Sequence, residues 1–228
     1  MRRIPTTRRF ATAAVTALAF SALASAARAQ STDATIDRAI AAWGKVKTVR
    51  GTFEQTVTNP ITNGSARATG TYMQERPNRL AIRFNSPATD AIVADGKALW
   101  VYLPTSAPGQ VIKRAAADRE SVPIDPTGQF LDAPRAKYDI SPAGTKTVDG
   151  HAAHGLLLVA KKGGSAPVAR ATVWIDDDDS LIREFESSDA NGVTRHVHLT
   201  SLELNSPLDA SAFAFAIPKG VKVIDQTK

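Results

Sequence analysis

Arg79-Leu80-Ala81-Ile82-Arg83-Phe84 decides the fold class. Leu80, Ile82 and Phe84 recur every second residue and face away from Arg79 and Arg83, the period of an extended strand with one buried face. Gly51-Thr52-Phe53-Glu54-Gln55-Thr56-Val57 repeats the pattern, with Phe53 and Val57 set against Thr52, Glu54 and Thr56. Further strands are predicted at 66–74, 91–95, 97–103, 110–114, 137–141, 155–161, 168–175, 181–187 and 193–204. Asn63-Gly64, Asp95-Gly96, Asp149-Gly150 and Asn191-Gly192 fall between them, and these residue types tolerate the positive φ of tight hairpin turns. About eleven strands in sequence-adjacent antiparallel order make a mainly β protein. In the last strand the buried phase changes from Val197 and Leu199 to Leu202 and Leu204, which predicts a bulge near Thr200 or Ser201.

One helix precedes the strands. Ile36, Ala39, Ile40, Trp43 and Val46 fall three or four apart, and Ser31, Thr32 and Asp33 can cap the start, so helix is predicted over 33–47. Two strands are apolar on both faces: Leu99, Val101 and Leu103 oppose Trp100 and Tyr102, and Leu156 and Leu158 oppose Leu157 and Val159. Both faces of such strands need a cover. Ser121 to Pro142 contains four prolines and a short candidate helix, Thr127–Asp132, and interrupts the strand rhythm like a flap. A curved sheet of this kind either fills its concave side with side chains or encloses an apolar space there.

Charge narrows the function classes. The chain of 228 residues has a formal charge of +6, but residues 1–29 hold five arginines and no acid. The remainder carries 23 basic against 22 acidic residues, which removes the main support for a nucleic-acid partner. Arg2, Arg3, Arg8 and Arg9, the uncharged run Phe10–Ala27 and the Ala27-Arg28-Ala29 triplet read as a signal peptide over 1–29, cleaved before Gln30. A single domain over 30–228 is expected to follow, exported to the periplasm by the general secretory or the twin-arginine route. With no cysteine, the chain has neither disulfides nor a thiolate site.

Candidate chemistry is sparse. Asp176-Asp177-Asp178-Asp179 lacks the Gly and Glu positions of a calcium loop and reads as a solvated turn. His196 and His198 leave one face of a strand, and His151 and His154 flank a turn, but no carboxylate stands at a recognised zinc spacing. No G-x-S-x-G, phosphate loop or cysteine nucleophile is present. No metal, cofactor or catalytic residue is therefore expected. A hydrolase whose residues converge from distant parts of the chain stays open as a reading of a different class.

Four segments in order resemble the periplasmic lipoprotein carriers of the LolA family. They are Val49-Arg50-Gly51-Thr52-Phe53-Glu54-Gln55, Glu75-Arg76-Pro77-Asn78-Arg79-Leu80, the Asp95-Gly96 hairpin leading into Leu99-Trp100-Val101-Tyr102, and Phe213-Ala214-Phe215 followed by Pro218-Lys219-Gly220-Val221-Lys222-Val223-Ile224. The resemblance implies an incomplete antiparallel β-barrel with an N-terminal helix and a helical lid over an apolar cavity. It implies a monomeric, non-enzymatic carrier. Such a carrier takes acylated lipoproteins from an inner-membrane transporter, shields their acyl chains and delivers them to an outer-membrane acceptor. On this reading Phe53, Leu80, Ile82, Phe84 and Trp100 line the lipid-binding cavity. Arg76 matches the lid-latch arginine, whose guanidinium hydrogen-bonds lid backbone in the empty state. A periplasmic lipid- or glycolipid-binding protein of the same fold, with cargo other than lipoproteins, is the second reading.

Overall fold

The computed structural model describes residues 32–115 and 127–227. The signal peptide expected over 1–29, with its cleavage point, lies outside the described residues. So do residues 121–126 of the expected flap.

Helix α1 covers 32–44, ending at Gly44 three residues short of expectation. Ile36, Ala39 and Trp43 form its buried stripe and Val46 closes the turn behind it. Strands β1 (Thr48–Asn59), β2 (Gly64–Glu75), β3 (Arg79–Ser86), β4 (Ala91–Asp95), β5 (Ala98–Tyr102) and β6 (Gln110–Ala115) follow as one antiparallel meander. Short helices α2 (Gly128–Leu131) and α3 (Pro134–Lys137) lead to β7 (Tyr138–Val148), β8 (His151–Ala160), β9 (Arg170–Asp176), β10 (Ile182–Ser188) and β11 (Thr194–Leu204), a second meander. The two meanders join where β1 pairs with β11. The anticipated bulge is there: Thr52 pairs with Ser201 and Phe53 with Leu199, leaving Thr200 unpaired. Each expected Asn-Gly or Asp-Gly turn has a residue at positive φ, and Asp149 and Gly150 both adopt it.

A twelfth strand corrects the count and the all-antiparallel expectation. Strand β12 (Lys222–Gln226) runs parallel to β6 at the sheet edge. Its sequence, Lys-Val-Ile-Asp-Gln, is short, and Val223 is 37% exposed, so it shows no buried face to announce it. The sheet order is β12-β6-β5-β4-β3-β2-β1-β11-β10-β9-β8-β7, an open sheet with β12 and β7 at its edges.

This order explains the cover over the concave face. The first meander ends at β6, next to one edge, and the second begins at β7, which is the other edge. The connection therefore links one end of the strand order to the other. Its described part carries Phe130 and Leu131, both buried in the main core cluster beside Ile36 and Trp43 of α1. A second, smaller cluster lies on the convex face. There Ala81, Ala91 and Val93 are covered by Phe213 and Phe215 of the C-terminal segment, with a 3-10 turn (Ala210–Phe213) capped by the Asp209 side chain. Arg83 fastens this segment by donating to the carbonyls of Ala212 and Ala214 at 3.2 and 2.9 Å.

Candidate functional site

Phe53, Leu80 and Ile82 are 5%, 3% and 7% exposed on one concave face, and Phe84 is half-buried beside them. The rings of Phe53 and Phe84 meet edge-on with centroids 5.6 Å apart. Gly70, on β2 opposite Phe53, leaves room for that ring, since a Cβ there would come within 2.7 Å of it and within 2.5 Å of the Arg83 carbonyl. Four of the five anticipated lining residues thus share one apolar surface. Their cover comes from α1 through Ile36, Ala39 and Trp43, and from α2 through Phe130, whose ring packs 4.9 Å from that of Phe185.

Trp100 is a correction. Alternation along β5 puts Leu99, fully buried, on the concave side and sends Trp100 to the convex side. There its indole stacks on Phe215 at 5.5 Å and donates to Asp95 Oδ2 at 3.0 Å. Burial works against the Asp95 carboxylate, but bonds from the Ala98 amide, the Trp100 indole and the Lys97 amide outweigh it and hold its pKa below the ordinary value. Because β5 is apolar on both faces, the pattern identifies the strand without saying which face lies inside. The bulkier residue is covered by the C-terminal Phe215.

Arg76 stands in the β2–β3 turn between the helical cover and the sheet. Its Nη1 donates to the Trp43 carbonyl at 2.7 Å, which also accepts the Val46 amide at 3.0 Å, and to the Val46 carbonyl at 3.4 Å, so it fastens the turn that ends α1. The guanidinium lies 5.0 Å from the centroid of the Trp43 ring, and Nη2 is 3.8 Å from Asp132 Oδ1, directly after α2. Arg76 thus touches both helical pieces. The backbone bonds run to α1, whereas the resemblance implies lid backbone; the contact with the flap is through a carboxylate. A second tie joins the same pieces: Arg135 of α3 pairs with Asp37 at 2.6 Å and Asp33 at 3.0 Å on α1. Sequence reasoning missed Arg135, since its partners lie about a hundred residues away.

The polar groups outside the core pair with one another. Each histidine meets a carboxylate distant in sequence: His151 with Asp178 at 3.0 Å, His154 with Asp177, His196 with Glu184 at 2.6 Å and His198 with Asp149 at 2.7 Å. The hydrogen bond to Asp178 and the charge of Asp176 raise the His151 pKa. Asp176, only 1% exposed, is held by Arg183 Nε at 3.0 Å and by the Asp178 amide, which together outweigh burial and lower its pKa. Glu184 is lowered likewise: burial opposes its charge, and bonds from Lys146 and His196 prevail. His151, Asp176 and Asp178 bring ligand-type atoms within 4.8 Å of one another. The guanidinium of Arg183 already neutralises Asp176, and the trio reads as a charge-balanced turn rather than a prepared cation site.

Residues 44–216 match the family described as outer membrane lipoprotein carrier protein LolA. Among relatives, the "Outer-membrane lipoprotein carrier protein" of Methylibium petroleiphilum is 28% identical over 189 residues, spanning 80% of this chain and 85% of its own. That of Aeromonas salmonicida is 29% identical over 174 residues, 76% and 80% of the two chains. Among solved structures, an uncharacterized conserved protein from Thermus thermophilus superposes with a TM-score of 0.55 at 14% identity, over 86% of this chain and 99% of that one.

Proposed function

This chain belongs to the LolA family of outer membrane lipoprotein carriers, and from that premise we propose that it carries acylated lipoproteins across the periplasm by sheltering their acyl chains on the concave face of the sheet. The observation that carries this reading is the nature of the cover. The apolar surface of Phe53, Leu80, Ile82, Phe84 and Leu99 is covered by residues of α1 and α2, and polar ties through Arg76 and Arg135 fasten the helical pieces to one another. A cover held this way can lift without breaking any strand pairing, and an acyl chain can then replace Ile36, Trp43 and Phe130 against the same strands.

The energetics suit a carrier. Burying a methylene is worth ~0.8 kcal/mol, so a dozen give roughly 10 kcal/mol before ordering costs. Lifting the cover exposes its own apolar residues and forfeits the Arg76 contacts, which reduces the net gain and keeps cargo transferable to a better acceptor. No bond is made or broken in such a cycle. Loading from an inner-membrane transporter and delivery to an outer-membrane acceptor complete it.

The test is Leu80→Glu. Leu80 sits between Gln74 of β2 and Ala94 of β4, on the concave surface. In a face that opens to cargo, the carboxylate stays partly hydrated, the domain folds, and capture of a fluorescent triacylated lipopeptide is lost. In a permanently closed core the charge would cost several kcal/mol and the domain would not fold. A folded variant that still captures the lipopeptide contradicts the proposal.

A further inference from the structure

Arg195 is placed where a cation is costly. On β11 it shares the concave face with Val197 and Leu199, one step along the strand from the apolar layer. Across the ladders it is level with Val57 on β1 and Ser187 on β10, while the next residues on the same face, Val197 and Phe185, are level with each other and buried. Gln129, from α2, closes over the same place, adjacent to Phe130. Arg195, Ser187 and Gln129, together with Pro167, Val168 and Val193, line a pocket of about 70 Å³. Asp189 also borders it, but its Oδ1 is taken by the amides of Asn191 and Val193 at 2.8 and 3.0 Å in the β10–β11 turn.

The guanidinium has five donors and stays charged. Among the described residues, the partner it meets is neutral, Gln55 Oε1 at 3.2 Å, and no carboxylate lies within ion-pair distance. Burial works against its charge, lowering its pKa from the ordinary value. Arg76, Arg83, Arg135 and Arg183, by contrast, each meet a carboxylate or backbone carbonyls. Beside Arg195, the Oε1 of Gln129 is buried without a hydrogen-bond partner. An amide can turn to offer its NH2 instead, so Gln129 and the Ser187 hydroxyl are available as further donors around the same small space. A half-compensated cation, donors on either side and room for a group of a few heavy atoms thus lie together at the end of the apolar surface that the carrier reading assigns to acyl chains.

We propose that this pocket takes an anionic oxygen group, carboxylate or phosphate, borne by an acyl chain that lies along the concave face; the inference rests on the acyl-carrier reading above. The carrier then discriminates by headgroup charge as well as by chain. Arg195 is a specificity residue for the lipid end, separate from the Arg76 latch.

The experiment measures direct binding of palmitate and methyl palmitate, equal in chain and differing in charge, to the wild-type protein and to Arg195→Met. Palmitate is expected to bind at least tenfold tighter than its ester to the wild type. In Arg195→Met that ratio falls to about one, the ester binds as before, and the melting temperature does not fall, because a poorly paired cation has been replaced by an apolar side chain of similar length. Equal wild-type affinities, or a ratio that survives the substitution, overturn the inference while leaving the carrier reading standing. Failure of both ligands to bind also overturns the inference, and capture of the triacylated lipopeptide then decides the carrier reading separately. Should Arg195→Met not fold, Arg195→Gln removes the charge with a polar side chain kept, and the same ratio is read. Repeating the series with palmitoyl lysophosphatidic acid distinguishes a phosphate from a carboxylate by which of the two loses more affinity.

Discussion

Replacing Arg76 with leucine is expected to make the carrier hold cargo more tightly and release it less well. The bond from Nη1 to the Trp43 carbonyl, at 2.7 Å, is the main loss. Bonds involving a charged group contribute about 1.5–3 kcal/mol, and partial exposure of the Arg76 side chain, at 30%, places this one at the lower end. The contact with Asp132, whose side chain is 55% exposed, adds little, about 0–1 kcal/mol. Stacking over Trp43 adds about 0.5 kcal/mol at such a site. The closed, empty state therefore loses about 2 kcal/mol, and a loaded state without these contacts loses none. Cargo affinity should rise by roughly thirtyfold. The empty protein should melt about 4–8 °C lower, the scale for a domain of this size. Scanning calorimetry of empty and lipopeptide-loaded protein reads the two states separately, and a two-step assay reads loading and then transfer to an acceptor. An equal fall in melting temperature in both states would refute the latch, because Arg76 would then be a structural anchor of α1 whether or not the cover is closed.

Trp100→Ala should lower stability by about 2–3 kcal/mol, less than the cost of a fully buried tryptophan, through loss of the Phe215 stack and the Asp95 bond. It should leave lipopeptide affinity within twofold, as titration of the purified variant would measure. Acid should destabilise the fold through Asp176 and Glu184: their folded pKa values lie below the ordinary 3.8 and 4.5, so their contribution is present above those values and is lost as pH falls through the folded ones. Glu184→Gln should accordingly flatten the acid limb of a melting-temperature profile. His151 acts in the opposite sense: raised above 6.5, it stabilises below that pH and its contribution fades as pH rises through the folded value, so His151→Gln should reduce the gain in melting temperature between pH 8 and pH 6.

The residues that announce themselves are those whose role is set by near neighbours. The two-residue period of Leu80, Ile82 and Phe84, the turn dipeptides and the phase change after Leu199 each encode local geometry, and each has its counterpart in the sheet. Features set by long-range topology are not legible in the same way. Strand β12 owes its place to parallel pairing with β6, far earlier in the chain, and carries no apolar face of its own. The side of β5 that faces inward depends on what covers each face, which the pattern leaves open, so Trp100 is assigned to the wrong side and Leu99 is overlooked. The histidines have no acid at a local spacing, yet the β7–β8 and β9–β10 turns bring carboxylates to His198, His151 and His154. Arg76 is visible through the Arg-Pro-Asn segment, while Arg135 and Arg195, whose partners or isolation arise only in the assembled sheet, are not.

The central claim is that acylated protein occupies the concave face in the cell. Native mass spectrometry of the protein isolated from the periplasm without detergent tests it most directly. The account predicts a one-to-one complex whose dissociation releases a peptide carrying an acylated N-terminal residue, and predicts that this mass disappears in Leu80→Glu. A carrier that emerges empty while lipoproteins are being exported, or one loaded only with glycolipid, would contradict it.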